Sequence, residues 1–301
     1  MTHLPWPDPE SGLLPPGRHT ASLAEMHAVF VAGPSDAGTG AGSDAASGAE
    51  RPVREELWDE WQRHIRLVAA EIGGISRVWI GGSFTTGAPE PHDVDVTYLI
   101  AAGTFDRLGP GQVAALYDLT DKDWCVHHGM RVDAYAIREP APRGTWRGRD
   151  FLAARATRES FMDLGMYDEV WQAARSSGPS GTARPRRGYV EIRIDTGFDT
   201  VMDTGIDAGV VAAAGPAAGG TAEAAVGQAG PDKHAEEDQH AMEAAEAVRA
   251  WLREARARHA PNTDPPVTPQ DFTAAQRRRI LSGLGIRRAE PPRSSLPPAG
   301  S

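Results

Sequence analysis

Leu57, Trp61, Ile65, Val68 and Ile72 recur at three- and four-residue intervals in EELWDEWQRHIRLVAAEIG. That spacing lines one face of an amphipathic helix of about four or five turns. The period then changes. RVWIGG and DVDVTYLI are short, apolar and β-branched, and read as two strands on either side of a Gly-Gly-Ser turn and a loop. MRVDAYAI (Met130–Ile137) and GYVEIRID (Gly188–Asp195) alternate and give a third and a fourth strand. Helices are expected over GPGQVAALYDL, with Pro110 near its start, and over most of RDFLAARATRESFMDLGMYDEVWQAA. Upstream, Pro-Pro-Gly marks a turn, and Ser22 with Glu25 has capping-box spacing for a short helix. The elements predict an α+β fold: a mixed sheet of about four or five strands with helices packed against it.

The same pattern divides the chain. Residues 1–31 are expected to pack on the core, 32–52 to form a flexible Gly/Ala-rich insertion, and 53–195 to form the main domain. Residues 196–235 lack a clear period and read as a low-complexity linker. Residues 236–260 form an amphipathic helix whose Met242, Ala245, Val248, Trp251 and Leu252 make a stripe that calls for a partner surface, in this chain or in a partner protein. Residues 261–301 are expected to be mostly disordered, with one short helix over TPQDFTAAQRRRILSGLG.

Charge narrows the partners. The net charge is −10, so non-specific attraction to nucleic acid is weak, although metal ions can still bridge an acidic protein to a nucleotide. Cys125 is the single cysteine, which rules out an intrachain disulfide and fits a reducing cytoplasm. No basic-then-apolar leader opens the sequence, and no apolar run approaches the roughly 20 residues that span a bilayer, so no membrane is expected.

Chemistry concentrates in IGGSFTTGAPEPHDVDV. Side chains alternate along a strand, so Asp93 and Asp95 share a face while Val94 and Val96 take the core side. Two carboxylates so placed repel unless a cation lies between them, and hard oxygen donors suit Mg²⁺ or Mn²⁺. Asp133, alone in an apolar strand, supplies a third carboxylate if the strands adjoin. Gly82, Ser83 and Thr85 of the turn, with Arg187, are candidate phosphate-binding residues. Arg186 and Arg187 enter the fourth strand within reach of a triphosphate, and a solvated basic turn fits the pair equally well. The Cys125, His127 and His128 spacing is not that of a standard zinc site.

An apolar-Gly-Ser turn, a loop of about ten residues, Asp-x-Asp and a later lone Asp resemble the DNA polymerase β-like nucleotidyltransferase superfamily. More narrowly, LPPGRHTASLAEMHAVF, VWIGGSFTTGAPEPHDVDV and RPRRGYVEI resemble a bacterial family of nucleotidyltransferase-like proteins, DUF6932, over roughly residues 12–195. The chain departs from that family's usual Pro-Lys-Gly in having Pro185-Arg186-Arg187-Gly188. The resemblance implies the nucleotidyltransferase fold and transfer of a nucleoside monophosphate from an NTP to a hydroxyl of a protein, a tRNA or a small molecule. It implies Asp93 and Asp95 as ligands of both metals, and Asp133 as ligand of one metal and helper in deprotonating the acceptor. A toxin–antitoxin or phage-defence setting is the context it favours. The alternative is a non-catalytic nucleotide-binding or partner-binding module on the same fold.

Overall fold

The structure is a computed structural model and describes residues 4–33, 47–140, 155–173, 186–194, 246, 250–255 and 268–283. The expected linker, and most of the expected insertion, lie outside the described residues. In chain order the elements are β1 (Gly17–Ala21), α1 (Leu23–His27), a π-helical turn (Ala28–Ala32), α2 (Ser47–Ile72), β2 (Ile75–Gly81), β3 (Val94–Ala101), α3 (Ala102–Phe105), α4 (Pro110–Leu119), α5 (Lys122–His127), β4 (Val132–Glu139), α6 (Arg155–Gln172), β5 (Gly188–Arg193) and α7 (Pro269–Gly283). Residues 250–255 are also helical.

Five strands form one mixed sheet in the order β1-β5-β2-β3-β4. β3 pairs β4 in parallel and β1 pairs β5 in parallel, while β2 runs antiparallel to both β3 and β5. The end of β2 therefore lies level with the starts of β1, β3, β4 and β5, so segments flanking all five strands share one end of the sheet.

Alternation sorts the two faces. Val78, Ile80, Val94, Val96, Tyr98, Val132, Ala134, Val190 and Ile192 turn to one face and join a large core with Leu57, Trp61, Ile65 and Val68 of α2 and with Val113 and Leu116 of α4. The opposite face carries Trp79, Leu99, Ile137 and Tyr189 under Tyr167 and Trp171 of α6. The helical stripe of α2 is buried as its spacing requires, and Ser22 and Glu25 close a reciprocal capping box at α1.

Three boundaries differ from the sequence expectations. β1 lies in GRHTA, which has no apolar alternation; parallel pairing with β5 makes it a strand. α2 begins at Ser47, inside the expected insertion, and so runs through Gly48 and Pro52, the two helix-breaking residue types that made the sequence place its start later. Residues 269–283 form the short helix expected within the tail, and that helix is packed rather than loose. Phe272 joins the large core beside Phe105, and Ile280 joins the core of the opposite face, so α7 links the two across edge strand β4. Leu252 and Ala255 are buried, and Trp251 meets the rings of Trp124 and His128, so residues of the expected amphipathic helix find their partner surface within the chain.

Candidate functional site

Asp95 and Asp133 are directly paired in the β3–β4 register, and both strands turn these side chains to the α6 face. Asp93 stands two residues ahead of Asp95. One oxygen from each of the three carboxylates lies within 4.8 Å of the others. The three aspartates expected from the sequence are thus brought together, and all are half-buried.

The Gly81-Gly82-Ser83 turn is shaped around this cluster. Gly82 has φ +69°, where side chains are strained, and a Cβ built there would sit 1.5 Å from Asp95 Oδ2. A Cβ on Gly81 would meet the Trp171 ring at 2.7 Å. One glycine makes room for the carboxylate, the other for the indole whose Nε1 donates to Thr97 Oγ1 at 2.9 Å. The loop beyond is held by Arg54 of α2, whose guanidinium donates to the carbonyls of Phe84, Thr86 and Ala88.

The expected phosphate ligands divide. Ser83 is half-buried at the turn. No helix starts there, since β3 is the next element, so an anion would meet a hydroxyl and turn amides rather than a helix dipole. Thr85 is 1% exposed, and its hydroxyl faces the Gly82 carbonyl, so it serves the turn. Arg187 precedes β5, donates through Nε to the Trp171 carbonyl, and lies close enough to Asp95 to favour its charged form. Arg186 pairs with Glu169.

The electrostatics are uneven. Burial, and then the charges of Asp93 and Asp133, push the Asp95 carboxyl up to about 7. Its two neighbours have cations in contact. Lys122, the first residue of α5, places Nζ 2.5 Å from Asp93 Oδ2 and 3.7 Å from Asp133 Oδ2. Arg279 of α7 forms an ion pair with Asp133, donates to the carbonyls of Thr120 and Ala134, and stacks 4.4 Å above the Tyr135 ring.

Lys122, Arg279 and Arg54 were not singled out by the sequence. Lys122 carries a faint signal as one of two lysines in an arginine-rich chain. Arg279 and Arg54 carry none, because their partners are distant in sequence. Cys125 is fully buried, with its thiol pushed up to about 12 mainly by burial, and its Sγ lies 3.3 Å from the Leu119 carbonyl. That is a core thiol rather than a ligand.

The donor set fits a hard divalent cation: three carboxylates within coordinating reach, one with its charge opposed by the other two. Fold and site together define an α+β protein whose mixed sheet gathers three acids and a Gly-Gly-Ser turn at one end. A family model described as a family of unknown function (DUF6932) matches residues 6–193, and the chain belongs to that family. The match runs from ahead of β1 to the end of β5, contains all three aspartates and stops well short of Arg279. No curated protein and no solved structure matches the chain. Among the described residues, no helix is long and apolar enough to cross a membrane.

Proposed function

We propose that this protein is a metal-dependent nucleotidyltransferase that moves a nucleoside monophosphate from an NTP to a hydroxyl acceptor. The observation that carries the reading is the meeting of Asp93, Asp95 and Asp133 beside the Gly82-Ser83 turn. Mg²⁺ or Mn²⁺, when bound, supplies positive charge against the phosphate oxygens and makes a hydroxyl more acidic. Asp93 and Asp95 hold the ion. Ser83 and the turn amides orient the terminal phosphates, and Arg187 adds charge from the neighbouring strand. Asp133 accepts the proton of the acceptor hydroxyl as its oxygen bonds to the α-phosphorus. The bond from that phosphorus to the bridging oxygen breaks, and pyrophosphate leaves.

The test is a panel of the four NTPs labelled at the α-phosphate, incubated with the full chain, Mg²⁺ or Mn²⁺ and a cell lysate. Transfer of label with release of pyrophosphate, abolished by Asp95→Asn, is the expected result. Unchanged NTP with every base and both metals overturns the enzymatic reading.

A second reading draws on the same site. Lys122 and Arg279 already neutralise Asp93 and Asp133, as in a binding module that has no need of catalysis. A nucleotide that raises the melting temperature but is never consumed favours this reading.

A further inference from the structure

Arg279 and Lys122 both bring positive charge to the carboxylates, but they are held differently. The Lys122 side chain is 44% exposed, and its Nζ contacts Asp93 and Asp133. Arg279 is locked. Its guanidinium meets the Asp133 carboxylate and two backbone carbonyls, of Thr120 and Ala134, and its Cζ sits over the Tyr135 ring, 4.4 Å from the centroid. The Ala134 carbonyl belongs to the edge strand, so Arg279 also caps an acceptor of the sheet's open side. Its helix is fixed independently of this pair. Phe272 is 1% exposed and Ile280 3%, Gln276 donates to Thr120 Oγ1, and Arg277 donates to both oxygens of Asp163. The contacts that seat α7 are therefore spread along its length, and Arg279 reaches the cluster from a seated helix.

From this we infer that Arg279 is a built-in counter-ion that withholds Asp133 from metal. With α7 seated, the cluster takes one divalent cation, through Asp93 and Asp95, and Asp133 becomes a ligand only when Arg279 is removed. A planar guanidinium held by a carboxylate and two carbonyls is pre-organised and loses little freedom per bond, unlike the flexible ammonium of Lys122, which a divalent ion displaces more readily. The inference rests on the metal-binding reading above and deepens it: the chain in this conformation is a resting form, with the acceptor-side acid occupied. It also gives a role at the site to a segment that lies outside the matched family region.

Manganese binding tests this without reference to turnover. Mn²⁺ bound per full-length chain is counted by electron paramagnetic resonance of the free ion and by calorimetry. The expected result is one ion for the wild type and two for Arg279→Gln, which keeps an amide donor but removes the charge. Arg277→Gln, which cuts the Asp163 pair on the same helix, should still bind one. Asp133→Asn should also bind one, because Asp133 is not a ligand while Arg279 holds it; this variant keeps the test decisive if Arg279→Gln does not fold. Loss of the ion in Asp133→Asn, two ions in the wild type, an unchanged count in folded Arg279→Gln, or a second ion in Arg277→Gln would each overturn the inference while leaving metal binding intact. No bound Mn²⁺ in any variant overturns the metal reading itself.

Discussion

Among the described residues, Asp95 is the one acid of the three with no ion pair, and its side chain rests against a bare glycine. Burial and two neighbouring carboxylates raise its pKa from 3.8 to about 7. The folded chain thus binds this proton more tightly than the unfolded chain. The stabilisation is fully present below pH 3.8 and is lost as the pH climbs to about 7. Asparagine cannot titrate, so in metal-free protein the stability of the wild type relative to Asp95→Asn should fall by about 4 kcal/mol across that window. Urea unfolding of both proteins in a chelator, at the two ends of the range, measures it. A constant difference would show that Asp95 titrates normally. A bound divalent ion narrows the gap, because only the wild type gains the binding free energy, about 2.7 kcal/mol at a hundredfold excess over Kd.

Pairing between β1 and β5 joins segments 171 residues apart in register, Gly17 against Gly188. Gly188 is the hinge of this contact. Its N–H donates to the Leu14 carbonyl, and a Cβ there would lie 2.2 Å from the Pro15 carbonyl oxygen and 2.7 Å from His19 Nε2. The Leu-Pro-Pro-Gly-x-His start and the Gly-x-Val-Glu strand therefore meet in space, and the glycine of the second is the space that the first occupies. Glu191, two residues before the end of β5, is 2% exposed and accepts from Trp79 Nε1 and Arg77, which fixes β5 against β2. Gly188→Ala should cost about 1–3 kcal/mol as overpacking against backbone that cannot yield. Chemical denaturation reads the loss directly. A neutral result would mean that the N-terminal strand is seated by something other than this contact.

At the scale of the molecule, the described part of the C-terminal third belongs to the same packed body as the family region. Phe272 is 1% exposed against Phe105, so Phe272→Ala should remove about 3–5 kcal/mol from a single cooperative transition. A change confined to a separate low-temperature step would show that α7 is an appendage. Much of the sheet was legible in the sequence, since period-two alternation at β4 and β5 and the apolar runs of β2 and β3 report two buried faces. The three acids were legible for the same reason: Asp-x-Asp on one strand and a lone Asp on another leave little choice of face. β1 was not, because GRHTA is polar on its open side and gains its pairing from a strand far along the chain. Nor was Arg279, since nothing local marks one arginine of QRRRI as the one whose guanidinium reaches an acid 146 residues away.

That separation has a consequence in time. All three aspartates leave the ribosome well before Arg279, and at about 5–20 residues per second the 146 residues from Asp133 take roughly 7–30 s to make. Every newborn copy passes through an interval in which its acids meet Lys122 and dissolved ions but not yet their own guanidinium.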